Sequence, residues 1–151
     1  MKTSLEQVRN FLNKKNYIFY GVSSNKAKFS NSVIKHLVKN GSSVFPIHPD
    51  IGELDGIKCY KSINELENKP DSAIIFLSPE NTEKVLPDIV NAGIKNVWIQ
   101  QRSESGKAIA YCAGNGINLI HGECILMFSE PVTFIHKFHR FINRVVGKLP
   151  S

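Results

Sequence analysis

At 151 residues, with 42% hydrophobic and only 21% charged residues, the chain has the balance of one globular domain with a buried core, which excludes an intrinsically disordered protein. No apolar run approaches the roughly 18–20 residues needed to cross a bilayer, and charged residues interrupt the apolar positions of residues 1–16, so neither a membrane span nor a secretory signal is expected and the protein is expected to be cytoplasmic. The net charge of +6 favours an anionic partner, yet the lysines and arginines are scattered and form no polybasic tail.

The first element is a helix. Thr3 and Glu6 have capping-box spacing, and Leu5, Val8, Phe11 and Leu12 fall on one stripe. Residues 17–22 (YIFYGV) then form a short apolar, aromatic and β-branched run without polar alternation, the pattern of a strand buried on both faces. The loop 23–28 leads to a second helix, with Ser30 as its cap, Val33, Ile34, Leu37 and Val38 as its apolar face, and Gly41 at its C-terminal end. Residues 43–47 (SVFPI) make a second strand in which Pro46 removes one ladder donor. An irregular stretch through Cys59 and a helical turn near 63–66 follow.

Residues 72–77 (SAIIFL) form the third strand, and Ser78 and Pro79 stand as N-cap and first residue of the next helix. Val85, Leu86, Ile89 and Val90 give that helix its apolar face, it ends at Gly93, and Pro87 should kink it. A fourth strand covers 96–100 (NVWIQ), a helix 104–115, and a fifth strand 117–121 (INLIH). Residues 132–146 close the chain as an amphipathic helix, with Phe134, Ile135, Phe138, Phe141, Ile142 and Val145 opposite a basic face that holds His136 and His139.

This alternation predicts a single domain over 1–151, with the C-terminal helix appended. Its fold class is α/β, a doubly wound, mostly parallel five-stranded Rossmann-like sheet with helices on both faces. A ligand in such a sheet sits outside the carboxyl ends of the strands. The turn from Gly21 to Ser30 joins a strand to a helix N-terminus and so offers free N–H groups to a pyrophosphate. Gly21 would let the backbone approach the ligand, Ser23, Ser24 and Asn25 would donate, and Lys26 or Lys28 would add charge. The three-glycine dinucleotide fingerprint is missing. At the end of the second strand, where a nicotinamide dinucleotide needs a carboxylate, stand Ile47, His48 and Pro49, with Asp50 beyond the proline. NAD is therefore disfavoured.

The motifs at these strand ends, taken in order, are G-V-S followed by F-S-N (Gly21 to Ser23, Phe29 to Asn31), V-F-P-I-H-P (44–49), I-I-F-L-S-P (74–79), A-G-I-K-N-V-W-I-Q (92–100) and G-E-C (122–124). Together they resemble the small CoA-binding domain family, stand-alone relatives of the nucleotide-binding domain of succinyl-CoA synthetase α subunits and acyl-CoA synthetases. The resemblance implies coenzyme A, or an acyl-CoA, as cofactor and partner. It implies that the first loop and the helix opened by Phe29 and Ser30 take the phosphates. It further implies that His48 and Pro49, with Leu77, Ser78 and Pro79, bracket the adenosine, and that Gln100 and Gln101 line the crevice. Two positions depart from the family pattern. His48 replaces the usual Asn, and Arg102 stands where a glycine commonly follows the fourth strand, placed either to meet a phosphate or to block a backbone approach.

Cys59, Cys112 and Cys124 are an odd number at wide spacing, so they read as reduced thiols rather than a disulfide or zinc framework. Cys124 reads as a buried, inert thiol despite its place after the fifth strand, and Trp98 as core. His136 and His139 belong to a solvated face rather than a metal site. No catalytic constellation assembles, so binding without evident catalysis is the reading. An NAD(P)-linked oxidoreductase and a basic module for partners or membrane surfaces are the alternatives. Nucleic acid is not an expected partner, whereas the apolar face of 132–146 predicts a homodimer.

Overall fold

The computed structural model describes residues 3–128, so the predicted helix at 132–146, with His136 and His139, lies outside the described residues. Five strands, β1 (Asn16–Tyr20), β2 (Ser43–Ile47), β5 (Ser72–Ile75), β6 (Asn96–Gln100) and β7 (Asn118–Glu123), form one sheet in the order β2-β1-β5-β6-β7. Every pairing within it is parallel. A two-stranded hairpin, β3 (Glu53–Leu54) and β4 (Ile57–Lys58), stands apart in the stretch after β2. The helices are α1 (Leu5–Leu12), α2 (Phe29–Lys39), α3 (Pro79–Asn91) and α4 (Gly106–Gly114).

Alternation along the strands sorts the core into two layers. Tyr17, Phe19, Ile74, Trp98 and Ile120 pack with Val8 and Phe11 of α1 and with Val33, Ile34 and Leu37 of α2. Ile18, Tyr20, Ala73, Ile75, Val97 and Ile99 pack on the other face with Leu86 and Ile89 of α3 and with Ala108 and Cys112 of α4. Each valine, leucine, isoleucine or phenylalanine among them contributes about 1.5–3 kcal/mol by leaving water, and a strand buried on both faces has no room for polar alternation. That is why the apolar runs marked the strands.

The helix ends differ from the sequence expectation. Ser4, not Thr3, caps α1: its Oγ accepts from the Gln7 N–H at 3.2 Å, and Gln7 Oε1 accepts from the Ser4 N–H at 2.9 Å. Thr3 is instead buried beside the helix start. Lys28 opens α2 without a side-chain cap, so Ser30 lies inside the first turn. Pro87 does not end α3, which runs on to Asn91. The proline is exposed, so the Glu83 carbonyl it leaves without a donor can turn to water. The third strand stops at Ile75, two residues early, although the Phe76 N–H still donates to the Tyr20 carbonyl at 2.7 Å.

Pro46 is tolerated because β2 is an edge strand. Its carbonyl accepts from the Tyr60 N–H at 2.8 Å and the His48 N–H donates to the Tyr60 carbonyl at 2.8 Å, both on the side away from β1, where the missing proline donor also falls. No helix among the described residues is long and apolar enough to cross a membrane.

Candidate functional site

The chain winds outward from β1 in both directions, to β2 on one side and to β5, β6 and β7 on the other. The carboxyl ends of β1 and β5 are therefore the point where the winding reverses, and ligands bind at such points in open α/β sheets. A crevice of ≈ 760 Å³ opens there. Another cavity, of ≈ 540 Å³, lies beside α1 at the amino ends of β6 and β7, away from that edge.

Ser23 and Ser24 line the crevice on the β1 side, His48 and Pro49 on the β2 side, and Leu77 and Ser78 on the β5 side. Beyond Phe76 lies a second recess of ≈ 520 Å³, between the start of α2 and the loop after β6. Phe29, Ser30, Gln100, Gln101, Arg102 and Ser103 line it. Lys28 and Phe76 belong to both recesses.

The first loop is held from within. Asn31, fully buried in the first turn of α2, accepts from the Ser23 N–H at 2.9 Å and donates to the carbonyls of Ser23 at 2.7 Å and Asn25 at 3.1 Å. Ser23 Oγ accepts from the Asn25 N–H, and Asn25 Oδ1 from the Ala27 N–H. The Asn25 side chain thus shapes the loop and lines neither recess. Lys26 is also turned away, paired with Asp55 of the β3–β4 turn at 3.3 Å, while Lys35 pairs with the same carboxylate at 2.6 Å. The two lysines, Lys35 foremost, hold the Asp55 carboxyl below its usual range. Of the two lysines expected to supply charge, only Lys28 faces the crevice.

Gly21 lines the crevice, and packing gives it a requirement of its own. At its φ of +124° a Cβ would lie 2.5 Å from the Phe76 carbonyl oxygen and 2.6 Å from Phe76 Cβ. The neighbouring strand end by itself excludes a side chain.

Ser30 does not cap α2. Its Oγ is buried, with no hydrogen-bond partner among the described residues, at a helix start whose N-cap contributes no side-chain bond. First-turn N–H groups and the positive end of the helix dipole favour an anion there.

At the end of β2, His48 Nδ1 accepts from the N–H groups of Asp50 at 3.0 Å and Ile51 at 3.1 Å. Those bonds place the ring proton on Nε2, making the imidazole a donor. Pro79 begins α3 behind its cap, where Ser78 Oγ accepts from the Asn81 N–H, and it lines neither recess. Gln100 is buried, with Oε1 accepting from the Ile125 N–H at 3.2 Å. This bond ties β6 to the turn after β7, so Gln100 frames the recess more than it reaches into it. Arg102 adopts a φ of +75°, the left-handed conformation that glycine takes without strain.

Sequence reasoning did not single out Tyr20, Lys61, Ser62, Asn81, Lys84 and Asp88, which also line the larger recess. Asn81, Lys84 and Asp88 recur at helical spacing and could have been found as one face of α3. The Tyr20 hydroxyl is pushed up to about 12 by burial, with a further contribution from the Asp88 charge, and so stays a donor. Asp88 is the only carboxylate among the described lining residues of this recess, against three cations, Lys28, Lys61 and Lys84.

Cys124 is 2% exposed, packs in the core and lines neither recess. Burial also pushes the Cys112 thiol up to about 11. Among the described residues, no group of three His, Cys, Asp or Glu side chains can hold a metal ion.

Residues 15–130 match the model of the CoA binding domain family. The chain belongs to that family. Among its relatives are ADP-forming acetate–CoA ligases. The protein from Methanocaldococcus jannaschii is 32% identical over 85 residues, covering 56% of this chain and 12% of the ligase. The α subunit of the type II enzyme from Pyrococcus furiosus is 30% identical over 90 residues, covering 59% of this chain and 20% of the subunit. The chain thus spans only an eighth to a fifth of the length of these two relatives. A solved structure of a conserved hypothetical protein from P. furiosus is 32% identical, with a TM-score of 0.68 and coverage of 73% of this chain and 95% of that one. It shares the five-stranded parallel α/β fold.

Proposed function

We propose that this chain binds coenzyme A, free or acylated, along the carboxyl ends of its strands. The observation that carries the reading is the open start of α2, where Ser30 Oγ is buried without a partner among the described residues and Lys28 adds charge, between two recesses that share Lys28 and Phe76. CoA has the same order of parts: a nucleotide, a diphosphate and a pantetheine arm. The diphosphate takes the start of α2, with help from the loop at Ser23 and Ser24. The nucleoside lies between His48 and Pro49 on one side and Leu77 and Ser78 on the other. The pantetheine runs past Phe76 into the smaller recess, where Phe29 and Phe76 give it apolar walls beside Gln100, Gln101 and Arg102. Membership of the CoA-binding family supports the assignment. We assign binding and no reaction, since the ligase activity belongs to proteins of which this chain spans a small part.

Discrimination against NAD comes from the adenosine end. The end of β2 offers a histidine instead of the carboxylate that holds the ribose hydroxyls of NAD, and Lys61 and Lys84 supply charge for the 3′-phosphate that only CoA carries. One charge-assisted hydrogen bond of this kind contributes about 1.5–3 kcal/mol, which is roughly ten- to more than a hundredfold in affinity. Calorimetric titration with CoA, dephospho-CoA and NAD tests the reading. CoA is expected to bind tightest, and replacing Lys61 and Lys84 together with alanine should bring it down to the level of dephospho-CoA. Equal affinity for CoA and NAD would overturn it.

A further inference from the structure

The smaller recess has two walls of the same electrical sign. On one stand Lys28, Phe29 and Ser30 at the start of α2. No side chain caps this helix, the Ser30 Oγ is buried without a partner among the described residues, and the first-turn N–H groups carry the positive end of the dipole. On the other wall, in the loop after β6, stands Arg102. Its guanidinium is solvent-exposed and has no ion pair among the described residues, and its backbone is left-handed, at φ +75°, where a Cβ brings strain that glycine avoids. No aspartate or glutamate among the described residues lines the recess to separate the two walls.

Positive groups that face each other across a gap repel, and an anion held between them turns that repulsion into attraction on both sides. The start of α2 can bond only those diphosphate oxygens that face it. The oxygens turned outward are left for the loop after β6, and a guanidinium takes two phosphate oxygens at once through parallel N–H bonds. Resting on the CoA reading above, we propose that Arg102 grips the ligand's diphosphate from the side opposite α2. The chain then holds that group between two walls, and Arg102 contributes to affinity through the diphosphate and not through the pantetheine or acyl end.

The test titrates wild type and Arg102→Gly, which suits the backbone at this position and so preserves the fold, with CoA, acetyl-CoA and ADP. All three ligands carry the diphosphate, and ADP lacks the arm. Arg102→Gly should weaken all three by the same factor, about tenfold or more, and Arg102→Lys, which keeps the charge without the planar fork, should lose less. The wild-type affinity should also fall more steeply with added salt than that of Arg102→Gly, a difference that a purely structural role would not produce. An Arg102→Gly protein that binds CoA as well as wild type, or tighter, overturns the proposal, since the arginine would then be idle or in the ligand's way. A loss for CoA and acetyl-CoA that ADP does not share also overturns it, by placing the arginine on the arm. If wild type fails to bind CoA at all, the CoA reading falls and takes this proposal with it, an outcome distinct from the other two.

Discussion

Two turns cross the carboxyl edge of the sheet, one after β1 and one after β6, and each contains a residue with left-handed backbone. In the first it is Gly21, where any Cβ would run into the backbone of Phe76 at 2.5 Å. In the second it is Arg102, a residue with a long charged side chain in the same region of φ. Glycine at the first position is dictated by packing between two strand ends. At the second, a side chain persists against its own backbone preference. A strained conformation at a strand end points to what the side chain does, whereas a glycine there need say nothing about a ligand.

The sharpest way to break this comparison is to give both positions the other's chemistry. Gly21→Ala is expected to destabilise the fold by about 3 kcal/mol or more, because the neighbour in its way is backbone and cannot swing aside. Urea denaturation measures this, and a loss under about 1 kcal/mol would return Gly21 to the role of clearing space for a ligand. Asn31→Ala should come next, at about 2–3 kcal/mol, since it removes a buried amide and strands the Ser23 N–H and two loop carbonyls. Amide exchange at residues 23–27 should speed up in that variant, and the urea midpoint should fall with it. Arg102→Gly runs in the opposite direction and should stabilise the fold by about 1 kcal/mol through relief of the left-handed strain, visible as a higher Tm. A lower Tm would mean that the arginine supports the fold. The smallest effect belongs to Lys26→Ala, whose partner Asp55 is on the surface: the melt and the CoA titration should both stay where they are, while Lys28→Ala weakens CoA.

The strands were legible because burial on both faces leaves a signature in the residues themselves, as at 17–20 and 96–100. Helix starts were less so. The spacing of Thr3 and Glu6 suggested a cap one residue before the one the structure uses, Ser4 with Gln7, because spacing alone fixes a helix start only to within a residue or so. The position of the recesses followed from topology, which pointed to His48, Ser78 and Arg102 on their walls, while Leu77 came from the family resemblance. What sequence could not supply was any property set by segments distant along the chain. Nothing near Lys26 announces that the β3–β4 turn will bring Asp55 to it. The reason for glycine at 21 resides in Phe76. Lys61 reaches the crevice only because Tyr60 docks on the edge of β2. The homodimer expectation rested on residues 132–146 and so lies outside the described residues.

That docking of Tyr60 has a consequence for how molecules of this protein meet one another. An open strand edge invites a strand from a second molecule, the first step towards aggregation. At β2 the invitation is withdrawn. Pro46 has no N–H to offer, and its carbonyl and the His48 amide are both taken up by Tyr60. A proline that looked like a defect in a strand instead blunts the carboxyl half of this edge, leaving β2 a poorer template for a strand from a second molecule.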